Sequence, residues 1–145
     1  MMTRTILALG AVALTMAGGL TSAQAGGSSV SIEQYGRGNG FAAAQQGYYN
    51  RTTAYQYGRA NSAIANQRGS RNVLVIGQQG NRNKAETYQA GRGNITGVAQ
   101  FGSGHTVVTS QDGHGNAVGV IQAGRNNKAV SRQVGAGNVA VIVQD

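Results

Sequence analysis

The chain has no cysteine, no proline and no tryptophan. Without cysteine there is no disulfide framework and no thiolate metal site to hold a small exported chain together. Bulky apolar residues are also scarce: beyond residue 25 the sequence has a single leucine, Leu74, and two phenylalanines, Phe41 and Phe101. That is thin material for a conventional globular core. Acidic residues number four against twelve basic ones, a formal charge of +8. A chain so poor in large side chains would ordinarily be read as disordered unless something periodic orders its polar residues.

Glycine, by contrast, is plentiful, with 24 residues. The first 25 residues have the layout of a secretory leader: Arg4, an apolar stretch from Ile6 to about Leu20, and the small-residue pattern Ala23-Gln24-Ala25. Cleavage after Ala25 is expected, because the apolar run is too short to span a bilayer comfortably. The expected division is therefore a leader over 1–25 and a repeat domain over 26–145, comprising five 22-residue repeats and a half repeat. Losing Arg4 leaves a charge of +7.

The periodicity is strict. Glutamine recurs every eleven residues, at Gln34, Gln45, Gln56, Gln67, Gln78, Gln89, Gln100, Gln111, Gln122, Gln133 and Gln144. Glycine follows two places later, at Gly36, Gly47, Gly58, Gly69, Gly80, Gly91, Gly102, Gly113, Gly124 and Gly135. Asparagine follows five places after each glutamine, at Asn39, Asn50, Asn61, Asn72, Asn83, Asn94, Asn116, Asn127 and Asn138, with His105 the one exception. Eleven residues also make three α-helical turns, but a glycine in every unit costs ~1 kcal/mol in a helix interior. Inside the unit, N-x-φ-x-φ-x-Q places the marked residues two apart, the period of a strand.

Charge tests the strand reading separately. The two positions between each Asn and Gln that share their parity, such as Leu74 and Ile76, never carry a charge. Arg51, Lys84, Glu86, Lys128 and Arg132 take the opposite parity, and Arg68 and Asp112 the position after Gln. A seven-residue strand and a four-residue turn then repeat, and two such units close a 22-residue coil. The predicted fold is all-β: a β-solenoid of stacked strand-turn-strand-turn coils with two parallel facing sheets, cross-β when assembled. Strands ending at Gln34, Gln56, Gln78, Gln100, Gln122 and Gln144 build one sheet and the alternate strands the other. The glycines are expected to admit positive φ or a crowded backbone. The Asn and Gln amides are expected to form ladders with their counterparts one coil away.

Neither end shows a capping helix or a proline, so both are expected to expose strand edges with a matching pattern, an arrangement that invites another copy. In these residues the chain resembles the curlin repeat, S-x5-Q-x-G-x-G-N-x-A-x3-Q. Ser28, Gln34, Gly36, Gly38, Asn39 and Gln45 match it, with Phe41 where alanine is usual; later repeats begin with Asn50, Asn72, Asn94 and Asn116. The resemblance implies a secreted, extracellular functional-amyloid subunit of bacterial biofilms. Its implied partners are further copies of itself, a companion nucleator or major subunit, periplasmic chaperones and an outer-membrane secretion pore. The intact last units, with Gln133, Gly135, Asn138 and Gln144, favour the major fibre subunit over the nucleator, whose final repeat is usually degenerate.

No catalytic constellation, metal site or cofactor is expected, because His105 and His114 fall at different points of the cycle and the acids are scattered. Arg37, Arg59, Arg82 and Arg125 are expected along one turn edge, with Arg71 and Arg92 along the other. Such a row would solubilise the chain, slow premature assembly, or attract DNA or acidic polysaccharide. A basic solenoid that binds polyanions without polymerising is the alternative from another class. Tyr35 and Tyr57, 22 residues apart, should share one outer column.

Overall fold

The computed structural model describes residues 26–145; the expected leader lies outside the described residues. Eleven strands follow in order: β1 (Ser29–Arg37), β2 (Gly40–Tyr48), β3 (Arg51–Arg59), β4 (Ser62–Ser70), β5 (Val73–Asn81), β6 (Lys84–Arg92), β7 (Ile95–Ser103), β8 (Thr106–His114), β9 (Ala117–Arg125), β10 (Lys128–Ala136) and β11 (Val139–Gln144). The odd strands form one parallel sheet, β1-β3-β5-β7-β9-β11, and the even strands a second, β2-β4-β6-β8-β10. We call these the odd sheet and the even sheet. Every pairing sets a residue against the one 22 places on, without a slip: Gln34 on Gln56 in the odd sheet, Gln45 on Gln67 in the even one. The molecule is a β-solenoid of about five turns, as the period of eleven predicts.

The unit divides differently from the expected seven and four. All strands but β11 run nine residues, and only two residues connect each to the next. The recurring glycine explains the difference: two places after Gln it bends the chain with φ between 88° and 127° yet stays paired with its counterpart in the neighbouring coil. The sharp reversal comes later, at the residue just before Asn. It is left-handed in every unit, with φ from 54° at Ala60 to 72° at Gly104, and at Tyr49, Ala60, Arg71, Arg82 and Asn126 it is not glycine. For such residues this conformation costs roughly 1–2 kcal/mol. The cost is offset by stacking, since the N–H of Ala60 donates to Arg37 O (2.9 Å) and that of Arg82 to Arg59 O (2.9 Å), one coil back. Turns, like strands, are therefore bonded coil to coil.

Between the sheets lies a narrow core. The odd sheet contributes its bulk, with Leu74, Ile76, Val98, Val118 and Val120, while the even sheet contributes mainly small residues such as Ala63, Ala65, Ala85 and Ala129. Large side chains on one face against small ones on the other let the two sheets close over a core with little leucine or phenylalanine. Flanking it on both sides stand buried glutamines and asparagines.

Candidate functional site

The recurring Asn, just before each strand, and Gln, within it, point inward, and from Asn50 to Gln122 all are buried. A primary amide buried without partners would be costly, so each must find a complete set. Glutamine does so with its own kind. Gln56 Nε2 donates to Gln78 Oε1 (2.7 Å), Gln78 to Gln100 (2.8 Å) and Gln100 to Gln122 (3.1 Å); in the even sheet Gln67 donates to Gln89 (2.8 Å) and Gln89 to Gln111 (2.9 Å). The second N–H crosses to the other sheet, as from Gln56 to Gly40 O (3.0 Å) or from Gln89 to Val73 O (3.1 Å). Thr52 and Thr96 join the even-sheet ladder by donating to Gln67 and Gln111.

Asparagine behaves differently from the like-on-like ladder expected of it. Its Oδ1 accepts mainly the backbone N–H of the next Asn in the column: Asn61 N to Asn39 (3.0 Å), Asn83 N to Asn61 (3.1 Å), Asn94 N to Asn72 (3.0 Å). Its Nδ2 closes the turn, donating to the carbonyl four residues back and to a glycine carbonyl one coil on, as Asn61 does to Tyr57 O (3.3 Å) and Gly80 O (2.9 Å). Side-chain to side-chain bonds occur as well at Asn72, Asn116 and Asn138. The Asn and Gly columns are thus one device. A Cβ on Gly58 would lie 2.0 Å from Gly80 O, so only glycine lets that carbonyl turn to where Asn61 reaches it.

His105 occupies the Asn position without breaking the column. It is fully buried, its Nδ1 accepts from Asn127 N (3.2 Å), and its Nε2 meets Phe101 O at 3.1 Å, so Nδ1 is unprotonated and Nε2 carries the hydrogen. The imidazole reproduces two of the asparagine bonds and not the third, to the glycine carbonyl of the next coil.

The Gln ladder has a direction, because every Nε2 donates toward the C-terminal coil. Gln34 and Gln45 at the first coil therefore present Oε1 to the end, whereas at the last coil Gln133 and Gln144 bond only Ala117 O and Lys128 O through Nε2. The glycine columns have the same polarity. The Cβ positions of Gly36 and Gly47 face the carbonyls of Gly58 and Gly69, while Gly124 and Gly135 face no glycine. Strands β1 and β2 at one end, β10 and β11 at the other, each leave one edge unpaired among the described residues.

The basic edges are less continuous than a row. Arg37 stands beside Arg59, but the next places hold Asn81 and Ser103 before Arg125, and Arg82 lies one position further, in the left-handed turn. On the opposite edge Arg71 lies over the Tyr49 ring, 6.0 Å from its centroid, and Arg92 pairs in register with Ser70 and His114. Tyr35 and Tyr57 share an outer column with ring centroids 6.4 Å apart.

The class is defined by these features: a parallel β-solenoid whose coils are joined by polar ladders, a structural architecture. A family model described as the curlin associated repeat matches residues 80–108, from Gly80 in β5 into β8, and this match supports the curlin family. No curated protein matches the chain.

Proposed function

We propose that the chain is a secreted structural subunit that polymerises by end-on addition into extracellular, curli-like amyloid fibres serving adhesion, aggregation and the biofilm matrix. The observation that carries this reading is the polarity of the ladders. The first coil offers Oε1 acceptors at Gln34 and Gln45 where the last coil holds spare Nε2 hydrogens at Gln133 and Gln144, so head meets tail with complementary groups. Adding one copy pairs two strand edges, extends both amide ladders and covers inward side chains that stand exposed in β1 and half-buried in β11. Strand edges of this kind are templates for further strands. The intact ladder residues of the last units suit a major fibre subunit rather than a nucleator. Export through an outer-membrane pore with chaperones belongs to the same proposal.

The glycine columns supply the test. Gly135→Ala adds a Cβ that meets only Asn138 Nδ2 at 3.8 Å within the chain, yet it points where an added copy would set its own glycine carbonyl. Substoichiometric Gly135→Ala chain should therefore join growing wild-type fibres and stop elongation at that end. Growth is followed by thioflavin fluorescence with seeding, and the product by fibre diffraction at ~4.8 and ~10 Å. A wild-type chain that stays soluble and never seeds would overturn the proposal, and so would Gly135→Ala fibres that elongate like wild type.

A further inference from the structure

The two outer faces differ sharply in charge. Between the Asn and the glycine of each strand, the outward positions of the even sheet carry Arg68, Lys84, Glu86, Asp112, Lys128 and Arg132, with Lys84 and Glu86 paired at 2.7 Å. The corresponding positions of the odd sheet from Val73 to Gln144 carry no charge; Asp145, at the very corner of that face, is the first. They expose Val75, Ile95, Phe101, Ile121 and Val141, from 43% at Val75 to 71% at Val141. Each of these side chains is fixed by strand parity to point away from the core, so none contributes to holding the two sheets together.

We infer that the outer face of the odd sheet, from β5 to β11, is a lateral interface for a second copy of this chain. Seven outward-and-inward positions per strand span about 23 Å, and four strands about 19 Å, so each partner offers about 440 Å² in projection. Two such textured faces bury about 1,000 Å² in total, the lower bound of a specific interface. The largest apolar patch on a typical monomer is about 300–600 Å² and is often functional.

A second copy fits better than another partner for two reasons. Its strands have the same spacing, so its ridges fall at the same period as these furrows. The furrows are made by glycine: Gly97 and Gly119 have nothing within 4 Å of a Cβ position, and Gly77 borders an open depression of about 190 Å³ that extends past Tyr55, Tyr57 and Phe101 to Tyr35 and Glu33 of β1. Isoleucine or valine ridges of the partner can enter these. From Val73 to Gln144 the face meets its own image without burying an unpaired charge, with Asp145 and Glu33 left at its borders, which the even face cannot do.

The inference rests on the proposed fibre, and its test separates the two. The double variant Val75→Lys/Ile121→Lys charges the odd face, and Ile64→Lys/Val130→Lys charges the even face equally; all four side chains are outward and exposed, and circular dichroism checks the fold. Electron microscopy should show laterally associated filaments for wild type and the even-face variant, and single filaments for the odd-face variant. Single wild-type filaments, or an odd-face variant that associates as before, would overturn the interface. If no fibre forms, end-on addition fails and sedimentation of the soluble chain reads the face: a dimer lost in the odd-face variant alone supports it, and a wild-type monomer refutes it. Binding of phosphatidylcholine vesicles through this face without self-association would assign it to lipid and refute it as well.

Discussion

Replacing Gly80 by alanine should unfold the middle of the solenoid, whereas the same change at Gly119 should be harmless. At Gly80 the new Cβ would stand 1.9 Å from Gly102 O, on a backbone with φ of 122°. Separations under 3.0 Å are not sustained, so the two coils must part locally by about 1.1 Å. That lengthens the bonds that span the gap, from Asn83 Nδ2 to Gly102 O (3.1 Å) and from Gln78 Nε2 to Gln100 Oε1 (2.8 Å), beyond hydrogen-bonding range. Two lost bonds at about 1 kcal/mol each and about 1–3 kcal/mol for the unsuitable backbone give a loss of about 3–5 kcal/mol. That is a large fraction of the stability of a typical domain. Gly119 faces outward on an ordinary extended backbone with nothing near its Cβ position, so alanine there should gain about 0.5 kcal/mol by restricting the unfolded chain.

Denaturant midpoints followed by far-ultraviolet circular dichroism measure both variants, and Gly135→Ala supplies a graded reference. Gly135 has φ of 106° but no carbonyl in its way, so its alanine variant should show only the backbone cost. The expected order is Gly119→Ala, wild type, Gly135→Ala, Gly80→Ala, from most to least stable. Equal midpoints for Gly80→Ala and Gly135→Ala would refute close stacking of the glycine columns, and with it the 22-residue register.

Thr109 has a buried hydroxyl with no hydrogen-bond partner, so the near-isosteric Thr109→Val should raise stability by about 1 kcal/mol, measured by the same midpoint; a loss would mean that the hydroxyl is satisfied. His105→Asn should supply the missing bond to the glycine carbonyl of the next coil and stabilise by about 1 kcal/mol, while His105→Ala should cost more than that by leaving Asn127 N–H and Phe101 O without partners. If the arginine edge captures DNA or acidic polysaccharide, assembled chain should lose such binding as salt rises, and Arg37→Gln/Arg59→Gln should weaken it and flatten that dependence; binding indifferent to ionic strength would dismiss the idea.

The period of eleven, the strand parity and the 22-residue coil were legible because each rests on residue types that recur without a slip. Gln78, Leu74 and Ile76 are placed inward by parity alone, and the structure buries them. Strand length was harder to read. Gly80 looks like a stop, and only the stacked neighbour shows that it is a bend within a paired strand. The true reversal falls on residues such as Tyr49, Arg71 and Arg82, whose types give no sign of a left-handed backbone, because coil-to-coil bonds rather than local preference hold them there. The contrast between the outer faces was present in the sequence but hidden by averaging over all eleven units. Sorted into odd and even strands, Lys84, Glu86, Lys128 and Arg132 all fall in the even set.

The same economy explains why so polar a chain orders and why it should do so in company. In a globular core, stability comes from apolar bulk shared among distant segments, and a chain with one leucine beyond residue 25 cannot supply it. Here each coil is satisfied by the coil above and below: backbone to backbone, Gln to Gln, Asn to the next Asn N–H and to a glycine carbonyl. Stability is then close to a sum over interfaces between neighbours, and the terminal coils each lack one. Among the described residues that deficit falls on β1 and β2 at one end and on β10 and β11 at the other, where inward Gln34 and Gln144 remain partly open. A second copy removes two deficits at once and creates no new kind of contact. The ladders that make the single chain fold are therefore the ones that would make it grow, and a substitution that acts only at the last coil should separate folding from growth.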